Sequence, residues 1–441
     1  MATRKTTNSG VRRIGFRPSL VVSLTAMILA LCASSLAQPY TTLHEFGGGP
    51  DDGYNPYAPV IMDPNGVLYG TTFYGGNSNT CSGVGCGEVF QLVPPAQPGG
   101  TWTHSAIYEF RDGKDGCCPY STLTLDRKGR LYGVANSLFR LTRPAKQGAM
   151  WHYRDLYDLT NGFYPTTPLL IDGAGALYGV SQQGGNPACG SYGCGAVLQF
   201  VPTKKGPWIE NVLYEFSGAA DGAFPSALVM DETGTLYGVA SCGGIVAPNC
   251  SGGCGTVFKL EPQPDGTWAY SVRYSFTGTH DKSPYSLVQG TDGNFYGLAV
   301  RGQYGSEVFK LTPHRRGLWT ESLVHRFGTQ NRPADYCGYP ATYLTTGPNG
   351  VLYGAIFGDI DLYFGALFQI SPATGNGKGS WTYTTLWDFN ESGPGLNPNG
   401  ILLGPDGALY GTLNGGDSDG GSVFQLTLPS QAPWPPVDFC Y

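Results

Sequence analysis

The feature that most constrains this chain is a tripeptide, Leu-Tyr-Gly or its variant Phe-Tyr-Gly, that occurs seven times. The seven copies are centred on Tyr69, Tyr132, Tyr178, Tyr237, Tyr296, Tyr353 and Tyr410. Each copy follows a turn that contains glycine, and successive copies lie between 46 and 63 residues apart. A period of this length indicates a repeat architecture in which each copy is one supersecondary unit.

Each unit has the pattern of four short strands. The first strand is an apolar run opened by proline, as in residues 225–230, and it ends at a glycine turn typical of a hairpin. The second strand carries Leu-Tyr-Gly, and the third alternates apolar residues, as in 257–260. The fourth opens with Trp268 and closes on Phe276 two residues after another aromatic. Alternation of period two without helical periodicity predicts an all-β chain.

The way such units stack determines the predicted architecture. A four-stranded sheet cannot bury both faces alone, and radial repetition of such sheets makes a β-propeller. We therefore predict a seven-bladed β-propeller of four-stranded antiparallel blades. Residues 40–46 match the fourth strand of the sixth unit, 383–389, whereas the seventh unit runs into a proline-rich tail after its third strand. The N-terminal strand should therefore join the last blade and close the ring.

The N-terminus has the pattern of an export signal. Residues 1–37 hold five basic residues and no acidic one, an apolar run from Ser19 to Leu31, and small residues ending at Ala37. This order predicts a secretory signal peptide that is cleaved near Ala37, by the general or the twin-arginine route. The predicted domains are then the signal peptide at 1–37, a single propeller at 38–428 and a proline-rich tail at 429–441. We expect the mature chain to be secreted or periplasmic, without a membrane span.

Charge narrows the class of partner. The formal net charge is −6, and it becomes more negative once the basic signal segment is removed. Nucleic acid binding depends on a basic surface, so nucleic acid is excluded as an expected partner.

The repeated unit resembles that of the GloVer tandem-repeat family of exported bacterial proteins, which reads Gly-x-Leu-Tyr-Gly, Gly-Gly, Gly-x-Val-Phe-x-Leu. The resemblance covers residues 40–428. It implies a secreted or surface-displayed protein of unknown activity. Some members carry a C-terminal anchor, but no sorting signal is visible after Leu428, which favours free release.

Cysteines concentrate in the loops between second and third strands. Two loops share a four-residue gap between cysteines, and we predict the disulfides Cys81–Cys86 and Cys189–Cys194. A third is expected among Cys242, Cys250 and Cys254, with the last two as candidates. So short a ring contributes modestly to stability, so its main effect is on loop shape. A zinc site at the Cys-x3-Cys pair is the alternative, disfavoured because exported pairs oxidise and no histidine is near.

The remaining cysteines leave their pairing open. Eleven follow the signal segment, so at least one thiol is free or intermolecular. Cys117 and Cys118 could bond to each other, but we expect one of them to pair with a neighbouring loop. The partners of Cys242, Cys337 and Cys440 are not readable from the sequence.

Acidic residues recur in the connections that enter the blades, where Asp-Gly or Asn-Gly precedes proline. They would either ring the central channel with carboxylates or cap local turns, and recurrence favours turns. The repeated tyrosines and tryptophans are best explained by burial between blades. We name as ligand-binding candidates on the looped face Asp52, Asp115, Asp221, His280, Asp281, Tyr54, Tyr192 and Tyr336.

No catalytic residue, metal site or cofactor is predicted. The six histidines do not converge in the repeat, because His44 and His325 replace aromatic residues of fourth strands and His104 lies within another fourth strand. No known catalytic or phosphate-binding motif occurs. We therefore expect a secreted binding or scaffold propeller whose Cys/Gly-rich loop face engages a glycan, peptide or surface polymer. The alternative is a polysaccharide hydrolase or lyase with acids at the channel mouth.

Overall fold

The computed structural model describes Met1 and residues 40–47, 52–76, 81–97, 99–111, 113, 115–146, 150–159, 162–278, 282–300, 305–315, 317–327, 340–356, 365–373, 379–389, 397–415 and 420–428. Residues 2–39, which include nearly all of the predicted signal peptide, lie outside the described residues, as do the predicted tail 429–441, the candidates His280, Asp281 and Tyr336, and Cys337 and Cys440. Residues Tyr40–Tyr441 form one compact unit.

The described residues form thirty β-strands and three short 3-10 turns, Cys81–Gly83, Pro187–Cys189 and Pro348–Gly350. In chain order the strands are β1 Tyr40–Glu45, β2 Gly53–Tyr54, β3 Ile61–Met62, β4 Leu68–Thr72, β5 Tyr74–Gly75, β6 Glu88–Val93, β7 Thr103–Glu109, β8 Thr124–Leu125, β9 Leu131–Val134, β10 Ser137–Thr142, β11 His152–Asp158, β12 Leu170–Ile171, β13 Leu177–Ser181, β14 Ala196–Val201, β15 Ile209–Glu215, β16 Ala223–Met230, β17 Leu236–Cys242, β18 Thr256–Pro262, β19 Trp268–Ser275, β20 Lys282–Gln289, β21 Phe295–Val300, β22 Ser306–Thr312, β23 Thr320–Arg326, β24 Pro340–Thr346, β25 Leu352–Ile356, β26 Ala366–Pro372, β27 Trp381–Asp388, β28 Pro398–Leu403, β29 Leu409–Leu413 and β30 Ser422–Leu426.

These strands make seven four-stranded antiparallel sheets, the blades, and one two-stranded ribbon, β2–β5. Blades 1 to 6 are β3-β4-β6-β7, β8-β9-β10-β11, β12-β13-β14-β15, β16-β17-β18-β19, β20-β21-β22-β23 and β24-β25-β26-β27. Blade 7 is β28-β29-β30-β1, so the N-terminal strand supplies its outer strand. Tyr40 stands opposite Leu426 and Glu45 opposite Ser422. The predicted seven-bladed propeller and its closure by the N-terminal strand are confirmed.

The recurrent tripeptide is explained by packing within each blade and between blades. The ring of Phe90 on the third strand lies directly over Gly70, where a Cβ atom would come within 2.4 Å of it, and other blades repeat this contact. The neighbouring tyrosine packs against the tryptophan at the start of the next blade's fourth strand. Observed pairs are Tyr69–Trp151, Tyr132–Trp208, Tyr178–Trp268, Tyr237–Trp319, Tyr296–Trp381 and Tyr410–Trp102. The last pair joins blade 7 to blade 1.

The same tyrosines fix the hairpin turn before them. Tyr178, for example, donates a hydrogen bond to Asp172 Oδ2 at 3.0 Å, while Asp172 Oδ1 accepts the backbone N–H groups of Ala174 and Ala176. Burial, together with the charge of Asp172, raises the pKa of Tyr178 to about 12, so the phenol remains a donor at neutral pH. The repeat is therefore a folding requirement in which turn, strand and next blade share one side chain.

Within the described residues, no helix is long and apolar enough to cross a membrane.

Candidate functional site

Loops on one face of the ring are held by glycine turns and disulfides. The structure contains the predicted pairs Cys81–Cys86 and Cys189–Cys194, and it pairs Cys250 with Cys254. Each loop also supports the next blade, because a cysteine carbonyl accepts a backbone N–H from the residue before that blade's first proline. The three bonds are Cys118 N–H to Cys86 O, Phe224 N–H to Cys194 O and Ser283 N–H to Cys254 O, at 2.8–2.9 Å. We call this the looped face.

The structure also assigns three of the cysteines whose pairing the sequence left open, Cys117, Cys118 and Cys242. Cys117 and Cys118 are bonded to each other, not to a neighbouring loop as we expected. Cys118 has a φ of +60°, and Asn55 and Phe224, at the equivalent position before proline, have φ values of +57° and +54°, so the repeated backbone sets the local geometry. Cys81 remains close, with its sulfur within 4.8 Å of both, but it is bonded to Cys86. Among the described cysteines Cys242 is the free thiol.

The candidate aspartates lie against the outer strands. Asp115 accepts a hydrogen bond from the Tyr108 hydroxyl at 2.7 Å, and Asp221 accepts one from Tyr214 at 3.0 Å. Asp221 also accepts the backbone N–H of Ser217 at 2.8 Å. Each carboxylate therefore ties a fourth strand to the connection that leaves it.

The two candidate tyrosines in the described residues are separate from each other. Tyr54 lies in the ribbon β2–β5, opposite Tyr74, and is half-buried. Tyr192 is exposed in the loop closed by Cys189 and Cys194. Tyr57, three residues after Tyr54, is also exposed and packs edge-on against Phe73. These two rings give blade 1 an aromatic patch on the looped face.

A cavity of about 310 Å³ opens where the first strands of blades 3 to 6 meet, and we call it the axial cavity. No charged side chain is among the described residues that line it. Its polar lining is contributed by Thr166, Thr167, Gln182, Ser226, Tyr285 and Ser286. The candidate aspartates are not among these lining residues.

Two hydroxyl groups of the axial cavity lack a partner. The hydroxyls of Thr166 and Thr167 are buried and make no hydrogen bond to the described residues. The Tyr285 hydroxyl, by contrast, faces Ser306, which is not among the lining residues. Buried polar groups are nearly always satisfied, so the two threonine hydroxyls indicate a polar ligand or ordered water.

The histidines of the sequence analysis do converge at one place, which corrects the expectation that they would not. The rings of His44, on the closing strand, and His104, on β7, are stacked with centroids 4.1 Å apart and planes 6° from parallel. His44 Nε2 lies 3.0 Å from Asp52 Oδ1, and His104 Nε2 lies 3.2 Å from Glu88 Oε1. We call these four residues the seam cluster, since they join the closing strand to blade 1.

The electrostatics of the seam cluster favour an ionised Asp52. Burial alone would raise its pKa, but hydrogen bonds from His44 and the Gly47 N–H, together with the charges of His44 and His104, outweigh burial and lower it. Glu88 is fully buried, and its Oε2 atom has no hydrogen-bond partner.

A sequence signal for the cluster exists. Glu88 opens a third strand where the equivalent residue is Thr256 in blade 4 and Ala196 in blade 3. Blade 5 also has a glutamate there, Glu307, so the signal is the combination of this glutamate with a histidine on the strand of the neighbouring blade, His44.

Comparisons with solved structures support the fold. A fungal alcohol oxidase of the AA5 family in complex with copper aligns with a TM-score of 0.56 and 13% identity, over 89% of this chain and 76% of that chain. The β-propeller domain of Cps50 (Swd1) from Myceliophteria thermophila aligns with a TM-score of 0.51 and 10% identity, over 88% of this chain and 100% of that one. At such identities the likeness shows the propeller fold alone.

Sequence comparison assigns the family. No curated protein matches the chain. The family model described as the Gloeobacter/Verrucomicrobia repeat matches residues 135–303 and 244–433, which together span more than half of the sequence. The chain therefore belongs to the Gloeobacter/Verrucomicrobia repeat family.

Proposed function

We propose that this protein is an extracellular propeller that binds a neutral carbohydrate at the axial cavity. The observation that carries the proposal is the pair of buried hydroxyls at Thr166 and Thr167, which have no partner among the described residues, in a cavity whose described lining is uncharged. Sugar hydroxyls both donate and accept hydrogen bonds, so they complement such groups where an ion would not. The four disulfides and the N-terminal pattern support an extracellular setting.

The lining also supplies apolar surface for a sugar ring. Leu228, Leu287 and the Tyr285 ring contribute alongside the polar groups. A site that combines apolar walls with a few convergent polar groups is typical of small-molecule recognition. Binding without turnover is the expectation, because the aspartates suggested for a hydrolase lie against the outer strands and not in the described lining.

The test is a glycan array probed with the mature chain, followed by calorimetry with the best ligand. The double variant Thr166→Val/Thr167→Val removes two hydroxyls at nearly constant shape, and we expect affinity to fall about tenfold or more. Stability should be unchanged or slightly higher, since neither hydroxyl has a hydrogen-bond partner among the described residues. Thr71→Val is the matched control, because the Thr71 hydroxyl is also buried and unpartnered but does not line the cavity.

Each outcome decides one part of the proposal. An array without binding would overturn carbohydrate binding itself. Binding that survives the double variant would move the site away from the axial cavity, and release of cleaved sugar would favour the hydrolase or lyase alternative.

A further inference from the structure

The seam cluster is built from two neighbouring elements, the closing strand of blade 7 with the connection after it and the third and fourth strands of blade 1. His44 belongs to the closing strand β1 and Asp52 to the connection after it, whereas Glu88 and His104 belong to β6 and β7 of blade 1. Ligand atoms of His44, Asp52 and His104 all lie within 4.8 Å of one another. Glu88 lies outside this set but contacts His104 Nε2 through its Oε1 at 3.2 Å, so its carboxylate would shift toward an ion held by the other three.

Hydrogen bonds within the described part of the chain do not satisfy the carboxylate of Glu88. Its side chain is 0% exposed, its Oε1 contacts His104 Nε2, and its Oε2 has no partner. A buried carboxylate oxygen without a partner is costly, and a cation is the most direct way to satisfy it. The second oxygen of the same carboxylate already contacts the cluster, so the unpartnered atom lies at the cluster's edge.

The charged groups around the cluster also favour a bound cation. Within the described part of the chain, the recorded ion-pair partner of Asp52 is His44 and that of Glu88 is His104, with no lysine or arginine on either carboxylate. Blade 5 has a buried glutamate at the equivalent position, Glu307, but there Arg326 lies 3.3 Å away. The two carboxylates of the cluster carry two negative charges when ionised, and one divalent cation cancels them.

We propose that the seam cluster binds one divalent transition metal ion, and that the preferred ion is Zn²⁺. Zn²⁺ takes imidazole nitrogen and carboxylate oxygen at about 2.0–2.2 Å in tetrahedral geometry, which separates ligand atoms by roughly 3.3 Å. The contacts at 3.0 Å and 3.2 Å are close to that spacing. His44, His104, Asp52 and Glu88 would supply the four ligands, and binding would tilt the two rings out of their parallel stack.

The position of the site gives the ion a role. Because His44 and Asp52 belong to the closing strand and the connection after it and the other ligands to blade 1, a bound ion would hold β1, which completes blade 7 by pairing with β30, against blade 1. A ligand that binds only this arrangement stabilises it by mass action. The metal would thus strengthen the interface between blades 7 and 1, independently of any carbohydrate at the axial cavity.

The experiment uses the mature chain after dialysis against a chelator. Calorimetry with ZnCl₂ should give one equivalent bound, Co²⁺ should give the visible bands of a four-coordinate ion, and the melting temperature should rise with Zn²⁺. The key variant is His44→Tyr/His104→Tyr, which installs the tyrosine pair that other junctions already use and should fold but bind no metal. Glu88→Gln keeps the shape and should weaken binding about 10–100-fold.

Tyr214→Phe, at a junction that lacks histidine, is the control and should bind Zn²⁺ like the unaltered chain. The proposal is overturned if the unaltered chain binds neither Zn²⁺ nor Co²⁺. It is equally overturned if the histidine-to-tyrosine variant binds as tightly as the original, since the ion would then be held elsewhere. If that variant does not fold, Glu88→Gln decides, and unchanged affinity would contradict the site.

Discussion

Between blades 7 and 1, two stacked histidines occupy the positions that two stacked tyrosines occupy between blades 3 and 4. The rings of Tyr214 and Tyr270 are 3.7 Å apart and 8° from parallel, against 4.1 Å and 6° for His44 and His104. Asp221 contacts Tyr214 at 3.0 Å, as Asp52 contacts His44. We call Tyr214, Asp221, Thr256 and Tyr270 the tyrosine junction. The backbone is therefore the same, and only the side chains differ.

The fourth position separates the two junctions most clearly. In the tyrosine junction, the Thr256 hydroxyl donates to the Asp221 carbonyl at 3.2 Å, so every polar group there is neutral or satisfied. The seam cluster has Glu88 at that position, with one oxygen unpartnered. Repetition fixes a geometry, and a few substitutions at one junction turn a packing contact into a set of metal ligands.

The largest expected effect comes from transplanting the cluster. The triple variant Tyr214→His/Thr256→Glu/Tyr270→His should bind a second equivalent of Zn²⁺, because Asp221 already stands where Asp52 stands. Ala240 opposite Thr256 is smaller than Thr72 opposite Glu88, so space for the longer side chain exists. Calorimetric stoichiometry measures the gain.

The double variant Tyr214→His/Tyr270→His is the comparison for the transplant. Without the glutamate it should bind Zn²⁺ about 10–100-fold more weakly than the triple variant. Equal affinity for both would show that Glu88 has no part in metal binding. A transplant that binds nothing, in a folded chain, would show that the four residue types at this geometry are insufficient.

The fold could be predicted from the sequence because the blades are physically equivalent. Each blade must bury the same faces, so the tripeptide, the glycine under Phe90 and the tryptophan of the next blade recur at matched positions. The closing strand was recognisable because residues 40–46 copy a fourth strand of the repeat. Its partner, β30, follows from the missing strand of blade 7.

The seam cluster could not be found in the same way. Comparing copies of a repeat aligns His44 with Tyr108 and Tyr214, which indicates a core substitution, but it does not show which residue of the next blade stacks on it. That contact depends on the register between adjacent blades. The Cys117–Cys118 bond was missed for a similar reason, because it depends on backbone geometry at the blade entry and not on spacing.

A second, smaller effect concerns the disulfide that holds the loop beside the tyrosine junction. There the Phe224 N–H donates to Cys194 O, in the loop closed by Cys189–Cys194, at 2.8 Å. At the seam the Asn55 N–H donates to Gly420 O, also at 2.8 Å. Cys189→Ser/Cys194→Ser should lower the free energy of unfolding by about 2 kcal/mol, the chain-entropy value for so short a ring. Urea unfolding measures it. Zn²⁺ affinity at the seam should not change, and a parallel loss of affinity would contradict the independence of the two junctions.

The smallest effect distinguishes the two aspartates by pH and salt. Because the pKa of Asp52 is lowered in the folded chain below the ordinary aspartate value of 3.8, its ionised form stabilises the fold above about pH 4, and this contribution is lost as pH falls through the lowered pKa. Asp52→Asn should therefore cost about 1 kcal/mol at pH 5, measured in chelator by urea unfolding, and nearly nothing at the acid limit.

Salt provides the control for that measurement, since the charges of His44 and His104 help to lower the pKa of Asp52, whereas Asp221 faces the neutral phenol of Tyr214. At pH 5, high salt should shrink the effect of Asp52→Asn and leave that of Asp221→Asn nearly unchanged. If both respond to salt alike, the charges of His44 and His104 do not reach Asp52. The seam cluster and the tyrosine junction would then have similar electrostatics, and Glu88 would be the one remaining argument that the seam cluster binds a cation.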